Sequence, residues 1–189
     1  MNFEEDIKRS LAALKAGGVI LYPTDTIWGL GCDATNTSAI DKVFCIKSRA
    51  EGKSLIILVN GIDMLERYVK EIPQTALQLI SVSDSPLTII YPEGKNLAAG
   101  ICNTDKSVGI RICNEPFCNE LITRLRRPLI STSANLSGKP SPASFSEIDE
   151  YLLKQADYIV KYRQEDRRKS SPSPVIKIDK NGVLNILRM

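Results

Sequence analysis

The stretch VILYPTDTIWGLGCDA, at residues 19–34, joins an apolar run to a loop rich in Thr, Asp and Gly. The apolar residues 19–22 stop at Pro23, which is typical of a buried strand that leads into a loop. We therefore predict a strand at 19–22 and a loop at 23–31. Sheets flanked by helices place ligands beside such loops, because the strands hold the loop rigid while its polar groups stay free.

On both sides of this stretch, the apolar periodicity switches between helix and strand spacing. Helices are predicted near residues 4–16, 37–46, 62–70, 74–82, 115–126 and 146–155. Further strands are predicted at 55–59, 87–91, 107–112, 129–131, 157–161, 174–178 and 183–187. Because this order lacks a regular βαβ rhythm, it favours an α+β fold with α/β-type layers, in which helices flank a mixed sheet. No linker divides the chain, so one domain is expected over residues 1–189.

Composition excludes several classes of active site. The chain has 189 residues and no histidine, which excludes Ser-His-Asp and Cys-His catalysis and HExxH zinc sites. Its five cysteines are an odd number without a CxxC pair, so neither a disulfide framework nor a zinc site is expected. Any chemistry must therefore use Lys, Arg, Asp, Ser, Thr and a metal ion.

Charge and hydropathy predict a cytoplasmic protein. Acidic residues precede the first apolar run, and no stretch approaches the length of a membrane span, so neither a secretory signal nor membrane insertion is expected. The net charge of +3 is far below that of a dedicated nucleic-acid binder and indicates only a weak preference for anions.

The sharpest charge feature is a basic cluster of Lys47, Arg49 and Lys53 between a predicted helix end and a strand. Such a cluster suits a triphosphate, since Arg holds two phosphate oxygens in a planar fork and Lys adds a compact charge. The alternative is that these charges complement the dipole at the helix C-terminus, which is common. A P-loop is excluded here, because Lys47 stands where that motif needs its first glycine.

Two more polar segments adjoin predicted strands, SVGIR at 107–111 and STSANLSGKPS at 131–141. If they converge with the loop at 23–31, the three segments form one pocket. The alternative is that their Ser, Thr, Asn and Gly residues are simply turn formers.

Together these segments resemble the signature segments of the YrdC/TsaC family. The likeness rests on YPTDTIWGLGCDA, on KSR with Lys53 four residues after Arg49, on SVGIR and on STSANLSGKPS, in the same order and at similar spacing. The C-terminal SPSPVIKI and ILR extend it to nearly the whole chain. The resemblance implies a YrdC-like twisted mixed sheet with a basic concave face, in the short single-domain form.

The resemblance also implies an ATP-dependent nucleotidyltransferase. Members of the family are threonylcarbamoyl-adenylate synthases, which combine L-threonine, bicarbonate and ATP with Mg²⁺ and release pyrophosphate. Their product feeds an adenosine modification of certain tRNAs. The implied partners are therefore these substrates, tRNA on the basic face, and the downstream tRNA threonylcarbamoyl-transferase machinery.

Carried over residue by residue, the resemblance implies two groups of contacts, together with catalytic roles for Lys47 and Arg49. The residues that would contact threonine are Thr26, Arg111, Ser131 and Ser173. The residues that would contact ATP are Arg49, Lys53, Ser107, Ser133, Asn135, Ser141 and Arg188. The implied reaction needs no protein nucleophile, so alignment of two anions by a cationic site can supply most of the acceleration.

The chain departs from the family pattern at two places. Trp28 stands where the family usually has Tyr, which keeps an aromatic wall. The segment KYRQEDRRKSSPS, at 161–173, replaces a Gly-rich approach to a Ser-Thr pair, and Pro174 follows Ser173.

Two alternatives to a synthase remain open from the sequence. One is a YrdC-like paralogue without threonine specificity. The other is a non-catalytic RNA-binding module, whose basic residues would be Arg124, Arg126, Arg127, Arg163, Arg167, Arg168 and Lys169.

Overall fold

The computed structural model describes residues 3–48, 55–166 and 170–189. Its α-helices are α1 Glu4–Lys15, α2 Thr37–Ile46, α3 Ile62–Tyr68, α4 Gln74–Val82, α5 Pro116–Leu125 and α6 Glu150–Gln155. Its strands are β1 Ile20–Tyr22, β2 Gly29–Gly31, β3 Ile56–Val59, β4 Thr88–Tyr91, β5 Val108–Ile112, β6 Leu129–Ser133, β7 Tyr158–Ile159, β8 Val175–Ile178 and β9 Leu184–Arg188.

Within the described residues the strands form one sheet in the order β7-β1-β2-β6-β3-β5-β4-β8-β9. The pairs β1/β7, β3/β5 and β4/β8 are parallel, and the other neighbours are antiparallel. The predicted α+β fold with a mixed sheet is therefore confirmed.

Strand register separates a polar face of the sheet from the apolar core. Gly29 pairs with Ser133, and Ile56 pairs with both Ser131 and Gly109. Directly paired residues share a face and alternate residues return to it, so Arg111 lies on this face as well. The intervening residues of the same strands, such as Ile57, Ile110 and Ile130, are fully or almost fully buried in the core.

Local sequence signals explain where the helices that support this face begin. Asn36 caps α2 by accepting a hydrogen bond from the backbone N–H of Ala39 at 3.1 Å. Glu115 caps α5 by accepting one from Cys118 at 2.9 Å, and Pro116 opens the helix where an N–H has no intrahelical partner.

Three boundary predictions are wrong. The loop predicted at 23–31 contains β2, and the predicted loop from Ser131 begins only after β6 ends at Ser133. The helix predicted at 146–155 is a short 3₁₀ turn at Phe145–Glu147 followed by α6, because Asp149 leaves the helical conformation and caps α6 through the N–H of Tyr151.

Two expectations from composition concern membranes and cysteines. In the parts of the chain that the structure describes, no helix combines the length and apolarity needed to cross a bilayer. All five cysteines lie in these parts, and all are free thiols. Burial raises the pKa of the Cys32 thiol to about 12, with the nearby Asp33 adding to the shift, so this thiol stays protonated.

Candidate active site

A cavity of about 210 Å³ lies on the polar face of the sheet. Its walls come from the 23–27 loop, from β2, from the 131–135 segment and from the C-terminal part of the chain. The lining residues are Thr26, Ile27, Trp28, Gly29, Ile56, Arg111, Ser131, Thr132, Ser133, Ser141, Pro172, Ser173 and Arg188.

The cavity brings together residues predicted from separate segments of the sequence. The predicted site residues on its walls are Thr26, Arg111, Ser131, Ser133, Ser141, Ser173 and Arg188. Lys47 and Asn135 lie directly behind Ser133, while Ser107 lies on the face of β5 that carries Arg111 but does not line the cavity. Arg49 and Lys53 lie outside the described residues. The roles of all these residues toward ligands stay predictions.

Thr24 organises the 23–27 loop from inside. Its hydroxyl donates to the carbonyl oxygen of Ile27 at 2.7 Å and accepts from the backbone N–H of Thr26 at 3.0 Å. The hydroxyl oxygens of Thr24 and Thr26 lie 3.1 Å apart. These contacts form a tight polar turn, which holds the side chain of Thr26 at the cavity wall.

Arg111 is the central cation of the cavity and is only 4% exposed. Its guanidinium lies 3.0 Å from the Asp25 carboxylate and donates to the Ser173 hydroxyl at 3.2 Å. The Asp25 contact is an ion pair without an aligned hydrogen bond, and Nε of Arg111 has no hydrogen-bond partner among the described residues. A guanidinium at the wall of a cavity is well suited to bind a carboxylate ligand.

Ser173 is held beside Arg111 despite the departure from the family pattern in its segment. Its hydroxyl lies 2.8 Å from the hydroxyl of Thr88, and its carbonyl oxygen accepts two hydrogen bonds from Arg188, at 3.0 and 2.6 Å. Burial, and then the like charge of Arg111, lower the pKa of Arg188. Two guanidinium groups therefore face one cavity, and an anionic ligand would relieve their repulsion.

The 131–135 segment is fixed by Lys47, which caps the end of α2 and is only 3% exposed. Its ammonium donates to the carbonyl oxygens of Ser133 and Asn135, both at 2.6 Å, and to the Asn135 side chain at 3.2 Å. The Ser133 hydroxyl in turn donates to Asn135 Oδ1. Sequence placed Lys47 beside phosphates, whereas in the structure its ammonium shapes the loop that bears Ser133.

Ser107 sits in a separate turn at the start of β5. Its hydroxyl and its backbone N–H both donate to the Asp105 carboxylate, at 2.5 and 3.0 Å. Lys177 of β8 contacts the same carboxylate at 2.6 Å. The hydrogen bond from Lys177 has the largest effect, and together with those from Ser107 it holds the pKa of Asp105 well below its usual range. The turn is therefore tied by charge to β8, which lies two strands away from β5 in the sheet.

Sequence reasoning missed two residues of the site. Asp25 pairs with Arg111, and Arg163 donates to the carbonyl oxygen of Thr24 at 2.9 Å. The position of Asp25 inside the PTDT motif was a signal from which its role in the site could have been predicted. Arg163 offers no such signal, because it is distant in sequence from the loop that it contacts. Among the described residues, no group of three or more Cys, Asp or Glu side chains is arranged to hold a metal ion.

A mixed sheet with helices, whose polar face bears two guanidinium groups and a rim of hydroxyl groups, defines an α+β protein with a cationic cavity on its sheet. Within this class the chain belongs to the Sua5/YciO/YrdC family, whose model is described as telomere recombination and matches residues 12–189.

Curated relatives of similar length carry one name. Threonylcarbamoyl-AMP synthase of Pseudomonas fluorescens strain Pf-5 is 33% identical over 155 residues, which cover 82% of this chain and 83% of that protein. Threonylcarbamoyl-AMP synthase of Psychromonas ingrahamii is 35% identical over 149 residues, which cover 77% of this chain and 78% of that protein.

Solved structures extend the likeness to the fold. Sua5 of P. abyssi complexed with L-threonine matches with a TM-score of 0.85 and 28% identity, covering 98% of this chain. This chain spans 54% of the length of that protein. YciO of E. coli matches with a TM-score of 0.84 and 24% identity, over 97% of this chain and 88% of the other, and this likeness concerns the fold alone.

Proposed function

We propose that this chain synthesises L-threonylcarbamoyl-AMP from L-threonine, bicarbonate and ATP, with release of pyrophosphate. The observation that carries the proposal is the convergence of hydroxyl groups and two guanidinium groups on one cavity, formed by residues that are distant in sequence. The names of the curated relatives and the L-threonine complex of the Sua5 structure support it.

The threonine side of the proposed site is the 23–27 loop with Arg111, Ser131 and Ser173. Arg111 would bind the carboxylate through the donors that the loosely aligned Asp25 contact leaves available. Thr26 and Ser131 line the same cavity and would contact the rest of the amino acid. Discrimination against serine, which lacks one methyl group, should be worth only about 1 kcal/mol or somewhat more.

The nucleotide side is residues 133–135 of the 131–135 segment, together with Ser141 and Arg188. Ser133 and Ser141 line the cavity, and Lys47 fixes the backbone that presents Ser133 and Asn135. We assign Arg49, Lys53 and Ser107 to the phosphates and the nucleotide as the resemblance implies. Lys47 acts here by shaping the site, since its ammonium already contacts three acceptors of the loop.

The proposed reaction joins two anions. The threonine amine adds carbon dioxide, derived from bicarbonate, to give a carbamate and a released proton. A carbamate oxygen then forms a bond to the α-phosphorus of ATP, while the bond between that phosphorus and the oxygen that bridges the α- and β-phosphates breaks. This oxygen leaves with pyrophosphate. The cationic cavity lowers the repulsion between carbamate and triphosphate and aligns them for in-line displacement.

Mg²⁺ is proposed as a companion of ATP rather than as a resident of the protein. The donor set fits this assignment, because no carboxylate is among the described residues that line the cavity, and Asp25 beside it is paired with Arg111. When bound, the ion would neutralise charge on the triphosphate and on the leaving pyrophosphate.

The proposed cellular role is threonylcarbamoyladenosine formation in tRNA. We place it in the cytoplasm, where ATP and tRNA are both present, and we propose that the product passes to a tRNA threonylcarbamoyl-transferase. Direct tRNA binding would use the basic face around the cavity. Two residues of the basic set of the alternative RNA-binding module form ion pairs within the chain, since Arg124 pairs with Glu4 and Glu120, and Arg127 pairs with Asp33.

The test is pyrophosphate release from ATP by the purified protein with Mg²⁺ and bicarbonate, with L-threonine, with serine and without an amino acid. We expect threonine-dependent release and a product with the mass of threonylcarbamoyl-AMP. Arg111→Ala should lower kcat/KM by about 10² to 10³, as loss of a preorganised charged donor does. Arg124→Ala, which removes an exposed arginine outside the cavity, is the matched control.

Two results would contradict the proposal. Release that does not depend on threonine would favour a paralogue with another substrate. Steeply salt-sensitive RNA binding without any release would favour the RNA-binding module.

A further inference from the structure

The residues just before Arg163 are fixed to the first helix. The Asp6 carboxylate of α1 accepts hydrogen bonds from the backbone N–H groups of Lys161 at 3.1 Å and Tyr162 at 2.8 Å. The ring of Tyr162 packs against Phe3, with 5.1 Å between the centroids. The backbone that leads into Arg163 therefore has a defined position.

From this position the guanidinium of Arg163 reaches the 23–27 loop. Nη1 donates to the carbonyl oxygen of Thr24 at 2.9 Å, and it lies 3.7 Å from the Glu115 carboxylate. Nε donates to Asp166 at 3.2 Å. The side chain is only 20% exposed, so these contacts form in a partly dry environment where charge-assisted hydrogen bonds gain strength.

Glu115 connects this contact to the helix behind the loop. Its side chain is only 4% exposed. Oε1 faces Arg163, and Oε2 accepts a hydrogen bond from the backbone N–H of Cys118 in the first turn of α5. Burial raises the pKa of Glu115, while the Cys118 hydrogen bond and the charge of Arg163 oppose that shift. A buried carboxylate is costly without a cation, so Arg163 and Glu115 hold each other in place.

The backbone of Arg163 adopts a conformation that disfavours any residue but glycine. Its φ is +66°, in the left-handed region where a side chain carries a steric penalty. Such a conformation persists when surrounding contacts impose it. This steric penalty falls on Arg163, whose side chain donates to the carbonyl oxygen of Thr24.

We propose that Arg163 is a positioning residue that sets the 23–27 loop and thereby the affinity for the amino-acid substrate. The inference rests on the proposed function for the identity of that substrate. Through Thr24 the arginine fixes the turn that holds Thr26 at the cavity wall. The nucleotide side depends on Lys47 instead, so Arg163 affects threonine and leaves ATP binding unchanged.

The test compares Arg163→Gly with a matched control, Arg126→Gly. Arg126 also has a left-handed backbone, with φ of +60°, but it is an exposed cap of α5 and does not line the cavity. Glycine suits both backbones, so the two variants share the relief of backbone strain and differ in the contacts that the guanidinium made. Arg163→Gly also leaves Glu115 buried without its cation, so we expect some loss of stability, and urea denaturation checks that both variants remain folded under the assay conditions.

For Arg163→Gly we expect the KM for threonine to rise about tenfold, since a loop displaced by a fraction of an ångström misaligns its substrate. The KM for ATP should not change. The chain has a single tryptophan, Trp28, which adjoins the loop, is 6% exposed and packs on Phe145 at 4.8 Å. In Arg163→Gly the fluorescence emission of Trp28 should shift to the red, and its indole should become more accessible to the quencher acrylamide. Neither change should occur in Arg126→Gly.

The two readouts separate failure of this inference from failure of the proposed function. If Arg163→Gly matches Arg126→Gly in the KM for threonine and in the emission of Trp28, the positioning role is wrong. If the wild type shows no threonine-dependent turnover, the proposed function is wrong, and the fluorescence of Trp28 alone decides whether Arg163 sets the loop. A rise in both KM values together would also overturn the inference, because it would indicate general damage.

Discussion

The two sides of the cavity are held in different ways. The 131–135 segment continues a strand of the sheet, and one buried lysine on the adjacent helix end, Lys47, fixes its backbone. The 23–27 loop has no strand pairing of its own and is held by side chains from distant parts of the chain, Arg111, Cys118 and Arg163. The sheet and Lys47 therefore hold the nucleotide side, whereas the threonine side depends on side-chain contacts from residues that are distant in sequence.

The largest effect is expected at the point where both sides meet. Gly31 lies in β2, between the loop and β6, and a Cβ at this position would lie 1.8 Å from the carbonyl oxygen of Ile130. Gly31→Ala must push β2 away from β6, so we expect the free energy of unfolding to fall by about 3 kcal/mol or more. Urea denaturation of Gly31→Ala and the wild type measures this change in the free energy of unfolding.

The control for Gly31→Ala is Gly109→Ala in β5. A Cβ there would meet its nearest neighbour at 3.7 Å, an ordinary contact, so its stability should stay near that of the wild type. Equal urea midpoints for the two variants would contradict the close approach of β2 and β6.

The same glycine explains why β2 escaped prediction. Gly29 and Gly31 flank Leu30, and glycine is depleted in strands, so the pattern is typical of a loop. Gly31 serves the approach of two backbones, and a Cβ at Gly29 would lie 3.1 Å from the hydroxyl of Ser131. Both are tertiary requirements that local propensity does not contain. By contrast, β1 and β3 are buried runs of apolar residues, and the sequence predicted them within one residue of their bounds.

The next effect concerns the nucleotide side alone. Lys47→Met keeps the volume of the stem but leaves the carbonyl oxygens of Ser133 and Asn135 without their donor. We expect a loss of about 2 to 3 kcal/mol in stability, or roughly 5 to 10 °C in Tm. The KM for ATP should rise, while threonine binding in the absence of ATP should change little. Thermal denaturation and calorimetric titration measure these effects.

Lys42→Met is the control, because Lys42 lies on the same helix and donates to the carbonyl oxygen of Gly17 at 2.9 Å, away from the cavity. It should leave the KM for ATP unchanged. If Lys47→Met weakens threonine binding as strongly as ATP binding, the two sides are not independent and the comparison fails.

The predicted site residues that line the cavity belong to contiguous motifs, each with its own signal in the sequence. Arg163 and Glu115 carry no such signal, because an arginine in a basic run and a glutamate before a proline are common on protein surfaces. Their pairing appears only when α5 and the 161–166 segment pack against each other. Lys47 was predicted from the basic cluster and from the family resemblance, and only the fold shows that its ammonium donates to the carbonyl oxygens of Ser133 and Asn135.

The smallest effect on stability is expected at the turn of Asp105 and Ser107, which does not line the cavity. Asp105 is hydrogen-bonded in the folded state, and this lowers its pKa from the ordinary value of 3.8. Its contribution to stability is therefore complete above pH 3.8 and is lost as the pH falls through the folded-state pKa. Because Lys177 and Asp105 are 38% and 51% exposed, Asp105→Asn should cost at most about 1 kcal/mol at pH 7.

Urea denaturation of Asp105→Asn and the wild type over a series of pH values measures this contribution. The two stability curves should differ at pH 7 and converge in acid, since protonation of Asp105 removes the same charge that the substitution removes. If Ser107 contacts the nucleotide, the KM for ATP should rise about two- to fivefold at pH 7 with no change in the KM for threonine, as expected for a turn displaced without loss of a direct contact. Curves that stay parallel down to acid pH would show that the carboxylate does not hold the turn by its charge.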